Sequence, residues 1–171
     1  MRIEREEFLL YPADEVYPLV RDRIDELLPH LPGVESVEIL SRAPASKGKT
    51  RVKSRWKLRP PALLGRLLPP AAFVWEEDAV WNDRSYCVES KIVGYGYQSR
   101  AKTFYEPASD WTRVRIEAEI EFRPESVDIP KENLEKIVAS AEDALREAIE
   151  PNMTALLDAI RERLGVGTLP L

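Results

Sequence analysis

From Lys131 to Leu164 the chain reads KENLEKIVASAEDALREAIEPNMTALLDAIRERL. Apolar residues recur at spacings of three and four: Leu134, Ile137, Val138, Ala141, Leu145, Ala148, Ile149, Met153, Leu156, Leu157, Ile160 and Leu164. On a helix that spacing draws one stripe along one face. Pro130 suits a first turn, where its missing N–H costs nothing, and Arg161 and Arg163 sit where cations favour a helix end, with Gly165 placed to close it. Straight, the segment would run roughly 50 Å. Pro151 removes an internal hydrogen bond, so a kink is predicted between Glu147 and Pro151 in one bent helix, the stripe continuing through the proline unshifted.

The chain ahead of this helix supplies something to pack against it. In Thr50–Leu58, Thr50, Val52, Ser54, Trp56 and Leu58 alternate with Arg51, Lys53, Arg55 and Lys57. A period of two puts one set inside and every cation outside. Val114, Ile116, Ala118, Ile120 and Phe122 alternate with charged residues in the same way across Trp111–Phe122. Between them, strands are predicted for Ala72–Trp81, Ser85–Val93 and Gln98–Glu106, separated by turns at Asn82-Asp83, a Gly94-Tyr-Gly96 corner and Ala108–Asp110. Earlier come a strand at Arg2–Leu10, a helix from Ala13 or Asp14 to Leu28 ended by Pro29 and Pro32, a strand at Val34–Leu40, and a hairpin loop from Ala43 to Lys49. Short hairpin connections imply an antiparallel meander with one dry face, and only the two helices can cover it. The prediction is an α+β fold in which a curved sheet of about seven strands wraps the C-terminal helix.

A chain of 171 residues with 44% hydrophobic and 32% charged residues is ordinary for one folded domain, here 1–165, with 166–171 as a frayed tail. Acids in Met1–Glu7 and the lack of a long apolar run argue against export and membrane spanning, so a cytoplasmic location is expected. One cysteine and one histidine make neither a disulfide nor a zinc site, and no cofactor or metal is predicted. Nine cations and no acid fall between Ile39 and Trp75. They pair with acids on neighbouring strands such as Glu35, Glu76 and Asp78, or else form a basic surface for an anionic partner. No nucleic-acid motif is present.

Three runs carry a resemblance to a known family. Tyr11-Pro-Ala-Asp-Glu-Val-Tyr, Leu31-Pro-Gly-Val-Glu-Ser-Val-Glu-Ile-Leu, and Tyr105-Glu-Pro with Trp111-Thr-Arg-Val-Arg-Ile-Glu resemble the polyketide cyclase/dehydrase-type members of the START-like (SRPBCC) superfamily. With the order of one strand, a helical stretch, six strands and a long helix, nearly the whole chain resembles its helix-grip fold. The resemblance implies a cavity between sheet and helix for an apolar small molecule such as a lipid, sterol, quinone or polyketide, bound and carried or acted upon. Inward parity gives Ser54, Trp56, Trp75, Tyr86, Ser90, Ser99, Thr103 and Tyr105 as candidate ligand contacts, with Ile149 and Met153 from the helix. Rings interleaved with hydroxyls suit an apolar pocket with orienting hydrogen bonds, although the same rings could fill a solid core.

The Pro/Leu run Arg59–Pro70 is either a flap at the mouth, with Leu64, Leu67 and Leu68 closing over ligand or touching a membrane surface transiently, or plain packing. If catalysis occurs, Glu77 with Tyr86 or Tyr105 are the acid–base candidates for a cyclase or aromatase reaction; Glu77 as an ordinary exposed or paired carboxylate is the alternative. His30 is expected at the surface and Cys87 inert. A protein-interaction module using the basic strand face is a third class, and apolar residues beyond Pro151 offer a surface on which a second copy could pair.

Overall fold

A computed structural model describes residues 1–60, 69–123 and 153–165. Seven strands, β1 (Arg2–Leu9), β2 (Val34–Ser46), β3 (Lys49–Leu58), β4 (Val74–Asn82), β5 (Cys87–Gly94), β6 (Tyr97–Ala108) and β7 (Trp111–Phe122), form one antiparallel sheet in the order β1-β7-β6-β5-β4-β3-β2. The meander from β2 to β7 follows the chain, and β1 returns to pair with β7. The curved sheet and its C-terminal helix make the predicted helix-grip arrangement.

The cross-strand register brings the inward residues into rows. One row is Trp56–Trp75–Gly94–Tyr97, the next Ser54–Glu77–Ile92–Ser99–Ile120, and the next Val52–Ala79–Ser90–Ala101–Ala118. Beyond it lies Thr50–Trp81–Val88–Thr103–Ile116. Val52, Ser54, Ala79, Trp81, Val88, Ser99, Tyr105, Val114 and Ile120 are all buried, so the period-two reading selected the correct face. The cations of β3 lie on the other side, where Arg51 meets Asp78 at 2.7 Å, Arg55 meets Glu76 at 2.8 Å and Lys57 meets Glu35 at 2.6 Å. Three of the β3 cations are thus paired with acids on neighbouring strands.

Helix α1 (Ala13–Asp22) starts at Pro12, whose extended backbone (ψ 149°) and carbonyl receive the N–H groups of Glu15 and Val16, each at 3.1 Å. Asp14 and Glu15 in its first turn complement the helix dipole. The single helix predicted as far as Leu28 is instead broken. Arg23 leaves helical geometry (φ −129°, ψ 34°), α2 (Ile24–Leu27) is one turn long, and Leu28–His30 tightens into a 3-10 turn that accommodates Pro29.

A second departure concerns β2. It runs to Ser46, six residues past the predicted end, and Lys47-Gly48 alone turns the hairpin. Gly48 supplies the positive φ of +75° that such a tight turn requires. Pro44 reads as a loop residue, yet β2 is an edge strand whose outer N–H row needs no partner, and the pairing shifts by a residue beside Pro44. Smaller differences delay the start of β4 to Val74, behind a 3-10 turn at Pro70–Phe73, and that of β5 to Cys87.

The helix α3 covers 153–164 and ends at Gly165 with φ +89°, the left-handed closure expected of that glycine. Leu157, Ala159 and Ile160 are buried at 3%, 1% and 1% exposure in the core formed with Leu9, Val16, Leu19 and Leu27. Arg5 donates to the Thr154 hydroxyl at 3.0 Å, Tyr11 donates to the Arg161 carbonyl at 3.2 Å, and His30 Nδ1 lies 2.8 Å from Glu162. These last three turns are therefore held by β1 and the first helices. Of the apolar residues beyond Pro151, Leu157, Ala159 and Ile160 are buried, and Ala155, Leu156 and Leu164 pack half-buried against the same core. The predicted kink, and the stripe from Leu134 to Ile149, lie outside the described residues, as does the tail 166–171.

Candidate functional site

Glu77 sits on the concave face of β4, paired across the ladder with Ser54 and Ile92. Its parity is that of Trp75, Ala79 and Trp81, so a carboxylate is carried into the face that the fold otherwise makes apolar. Trp56 Nε1 donates to Glu77 Oε2 at 3.1 Å and to Ser54 Oγ at 2.9 Å, and Ser54 Oγ reaches the same carboxylate oxygen at 3.4 Å. Ser90 adds a hydrogen bond from the next strand. Desolvation raises the Glu77 pKa above the ordinary carboxylate value, and the bonds from Ser90, Trp56 and Ser54 oppose that rise without cancelling it.

Two groups of rings flank this carboxylate. Towards the β5–β6 hairpin, Trp56 and Trp75 stack with centroids 5.9 Å apart and planes 17° from parallel, both half-buried. The Tyr97 ring crosses the backbone of Gly94 so closely that a Cβ on Gly94 would stand 2.3 Å from it, which explains why this position carries no side chain. Burial pushes the Tyr97 hydroxyl up to about 12.

At the other end, Tyr17 from α1 meets Trp81, Tyr86 and Tyr105 edge to face, at 5.4, 5.3 and 5.7 Å. The Tyr17 hydroxyl donates to Asp83 at 3.3 Å, and Arg21 holds the same carboxylate and lies over the Tyr17 ring. Tyr105 is 4% exposed, and no described residue hydrogen-bonds its hydroxyl. Burial and the charge of Glu77 both push its pKa upward.

Between the two ring groups runs the row of small side chains Ala79, Ser90, Ala101 and Ala118, which crosses four strands. At the usual strand spacing that row spans about 14 Å.

Of the residues predicted to face inward, Ser54, Trp56, Trp75, Ser90, Ser99, Thr103 and Tyr105 do so. Tyr86 differs. It precedes β5, in the turn after β4, with a positive φ of 45°, yet its carbonyl still accepts from the Tyr105 N–H at 2.8 Å and its ring packs on Tyr17 against the core at the closed end. Met153, the first described residue of α3, is half-buried. Leu64, Leu67, Leu68 and Ile149 lie outside the described residues, so the flap belongs to sequence expectation.

Two features escape sequence reading. Tyr17 is not one of the helix's aliphatic positions, so periodicity does not single it out. The alanine row shows only when consecutive strands are aligned, although alanines at inward parity on β4, β6 and β7 are its signal.

Cys87 is buried, which pushes its thiol pKa up and keeps it protonated. Among the described residues no His, Cys, Asp and Glu cluster is placed to hold a metal ion, and no helix is long and apolar enough to cross a membrane. A depression of about 440 Å³ is lined mainly by charged residues of the opposite sheet face such as Arg51, Asp78, Glu89 and Lys102, with Ser90, Ala101 and Ala118 also in its lining.

No family model matches the chain, and no curated protein sequence does. Solved structures do. The aromatase/cyclase ZhuI from Streptomyces sp. R1128 superposes with a TM-score of 0.72 at 12% identity, covering 98% of both chains. TTHA0849 from Thermus thermophilus gives 0.70 at 20% identity, over 96% of this chain and 100% of that one. A START superfamily protein from Mycobacterium smegmatis gives 0.50 at 13%, over 87% and 94%. The fold is START-like.

Identities this low establish architecture alone. Glu77, Trp56 and Trp75 share the concave face of the sheet.

Proposed function

We propose that this START-like chain binds an apolar small molecule between the concave sheet face and the C-terminal helix. The observation that carries the reading is the row Ala79, Ser90, Ala101 and Ala118, where short side chains leave room in the middle of the sheet. A core under selection for packing alone would fill that row with Leu, Ile and Val, because voids cost stability. The half-buried Trp56–Trp75 stack offers a flat apolar wall, and Glu77, Ser54, Ser90 and the Tyr105 hydroxyl offer a few convergent polar groups. Native mass spectrometry of protein purified without added ligand tests it. A co-purified apolar mass that Ala101→Leu with Ala118→Leu displaces is the expected result, and equal occupancy in that variant refutes the placement.

A second reading adds chemistry at the same place. Glu77 and Tyr105 are a carboxyl group with a raised pKa and a neutral phenol on one face. Glu77 can take a proton from a carbon acid while the Tyr105 hydroxyl hydrogen-bonds the oxygen on which charge develops, the elements of a cyclase or aromatase step. Glu77→Gln separates the two readings: turnover of a polyketide-like substrate is lost under the second, while binding of a neutral ligand persists under both. Transport of the ligand, and transient membrane contact through residues 60–70, extend the first reading and call for a vesicle transfer assay.

A further inference from the structure

A tryptophan and a carboxyl group hold one another on the concave face. An indole has a single N–H, fixed in the plane of its rings, and it can only donate. Trp56 Nε1 donates to Ser54 Oγ at 2.9 Å and to Glu77 Oε2 at 3.1 Å. Ser54 lies two residues back on the same strand, whereas Glu77 comes from β4, where it opposes Ser54 while Trp75 opposes Trp56. One N–H shared between acceptors on two strands fixes the ring plane, because turning the indole swings the N–H out of line with them. That plane is 17° from the Trp75 plane, with centroids 5.9 Å apart. The polar group beside the wall therefore sets the angle of the wall. The dependence also runs the other way. A free glutamate side chain has three torsions, and bonds from Trp56, Ser54 and Ser90 restrain them. This holds in either protonation state, since an ionised carboxylate and the carbonyl oxygen of a neutral acid both accept.

We infer that Trp56 is the positioning residue of the proposed site: its N–H sets the Glu77 carboxyl group while Glu77 sets the indole wall, so a ligand meets one prearranged unit. A phenylalanine at this position would supply a ring for the stack and leave the carboxyl group without its cross-strand donor. Binding gains from such a unit because the ordering cost is met before the ligand arrives. The inference rests on the ligand-binding reading and names, within it, the residue that acts through another.

The test is a double-mutant cycle on the full chain, read by the affinity of the neutral fluorescent probe N-phenyl-1-naphthylamine. Trp56→Phe keeps a ring against Trp75 and removes the N–H. Its cost in the wild type should exceed its cost in a Glu77→Ala background by about fivefold, the loss due to the smaller ring being common to both. In a Glu77→Gln background, which keeps an oxygen acceptor, the excess should return. Equal costs in the wild-type and Glu77→Ala backgrounds overturn the inference and leave Trp56 as wall alone. Solvent exchange of the Trp56 indole N–H, followed by NMR, needs neither the probe nor a variant at Trp56. Glu77→Ala should speed that exchange about fivefold and Glu77→Gln by less than about twofold. Exchange as fast in the wild type as in Glu77→Ala overturns the positioning role even where the probe binds. A probe that fails to bind while exchange responds as expected overturns the ligand-binding reading, and the inference with it, a result distinct from loss of the coupling.

Discussion

The two ring groups on one sheet face differ in what they do. Tyr17, Trp81 and Tyr105 are 1%, 9% and 4% exposed and meet edge to face, while Trp56 and Trp75 lie parallel and half-buried. The closed group has a ring driven into it by α1, anchored through Asp83 at the start of the β4–β5 turn. The open pair has the neighbouring strand for a wall and a carboxylate for a floor. Aromatic residues at inward parity thus have two uses in this molecule, and the element packed over them decides which.

Tyr17→Ala should break the closed group outright. It removes a fully buried ring with three aromatic contacts, and about 3–5 kcal/mol of stability should be lost in urea unfolding. Trp75→Ala, at the open end, should cost no more than about 2 kcal/mol and should instead lower the amount of co-purified apolar molecule; an equal loss of stability at both ends would abolish the distinction.

A smaller effect is expected at the hairpin. Gly94→Ala forces the Tyr97 ring off the backbone it covers, at a cost of about 1–3 kcal/mol, and a Tyr97→Ala background should recover much of it in a double-mutant cycle. Tyr17→Phe, which removes only the bond to Asp83, should cost about 1 kcal/mol.

Glu77 gives a test in pH. Its pKa is higher in the folded than in the unfolded chain, so the folded state holds the proton more tightly. The stability this lends is fully present below the unfolded pKa and is lost as pH rises through the folded one. Glu77→Gln should therefore unfold at higher urea than wild type at neutral pH, with the advantage shrinking on acidification. A difference independent of pH would show that Glu77 ionises as it does in water.

The smallest change is expected on the outer face, where Arg55→Ala should alter stability by less than about 1 kcal/mol because its partners Glu76 and Glu38 are exposed.

Most of the architecture was legible in the sequence. Alternation in Thr50–Leu58 and Trp111–Phe122 assigned the faces, and Arg51, Arg55 and Lys57 of the cation stripe meet the expected acids Asp78, Glu76 and Glu35. What misled were local signals that tertiary position overrode. Pro44 reads as a loop but sits harmlessly on an edge strand, and a smooth apolar period from Val16 to Leu28 concealed the break at Arg23. Parity carried back from β5 points Tyr86 inward, and its ring does pack on the core, although the strand begins one residue later. The carboxylate site was half legible: parity with Trp75 and Trp81 pointed Glu77 inward, but the three donors on it come from two neighbouring strands.

By itself the sequence determined which side chains of each strand share a face and how the final helix ends, because strand period and glycine closure are properties of a few adjacent residues. Only the tertiary structure decided that Tyr17 would seal one end of the sheet, 66 residues away from the aspartate that anchors it, and that three alanines and a serine would align. Such contacts depend on the register between strands and on where a helix lands, and no local pattern encodes either.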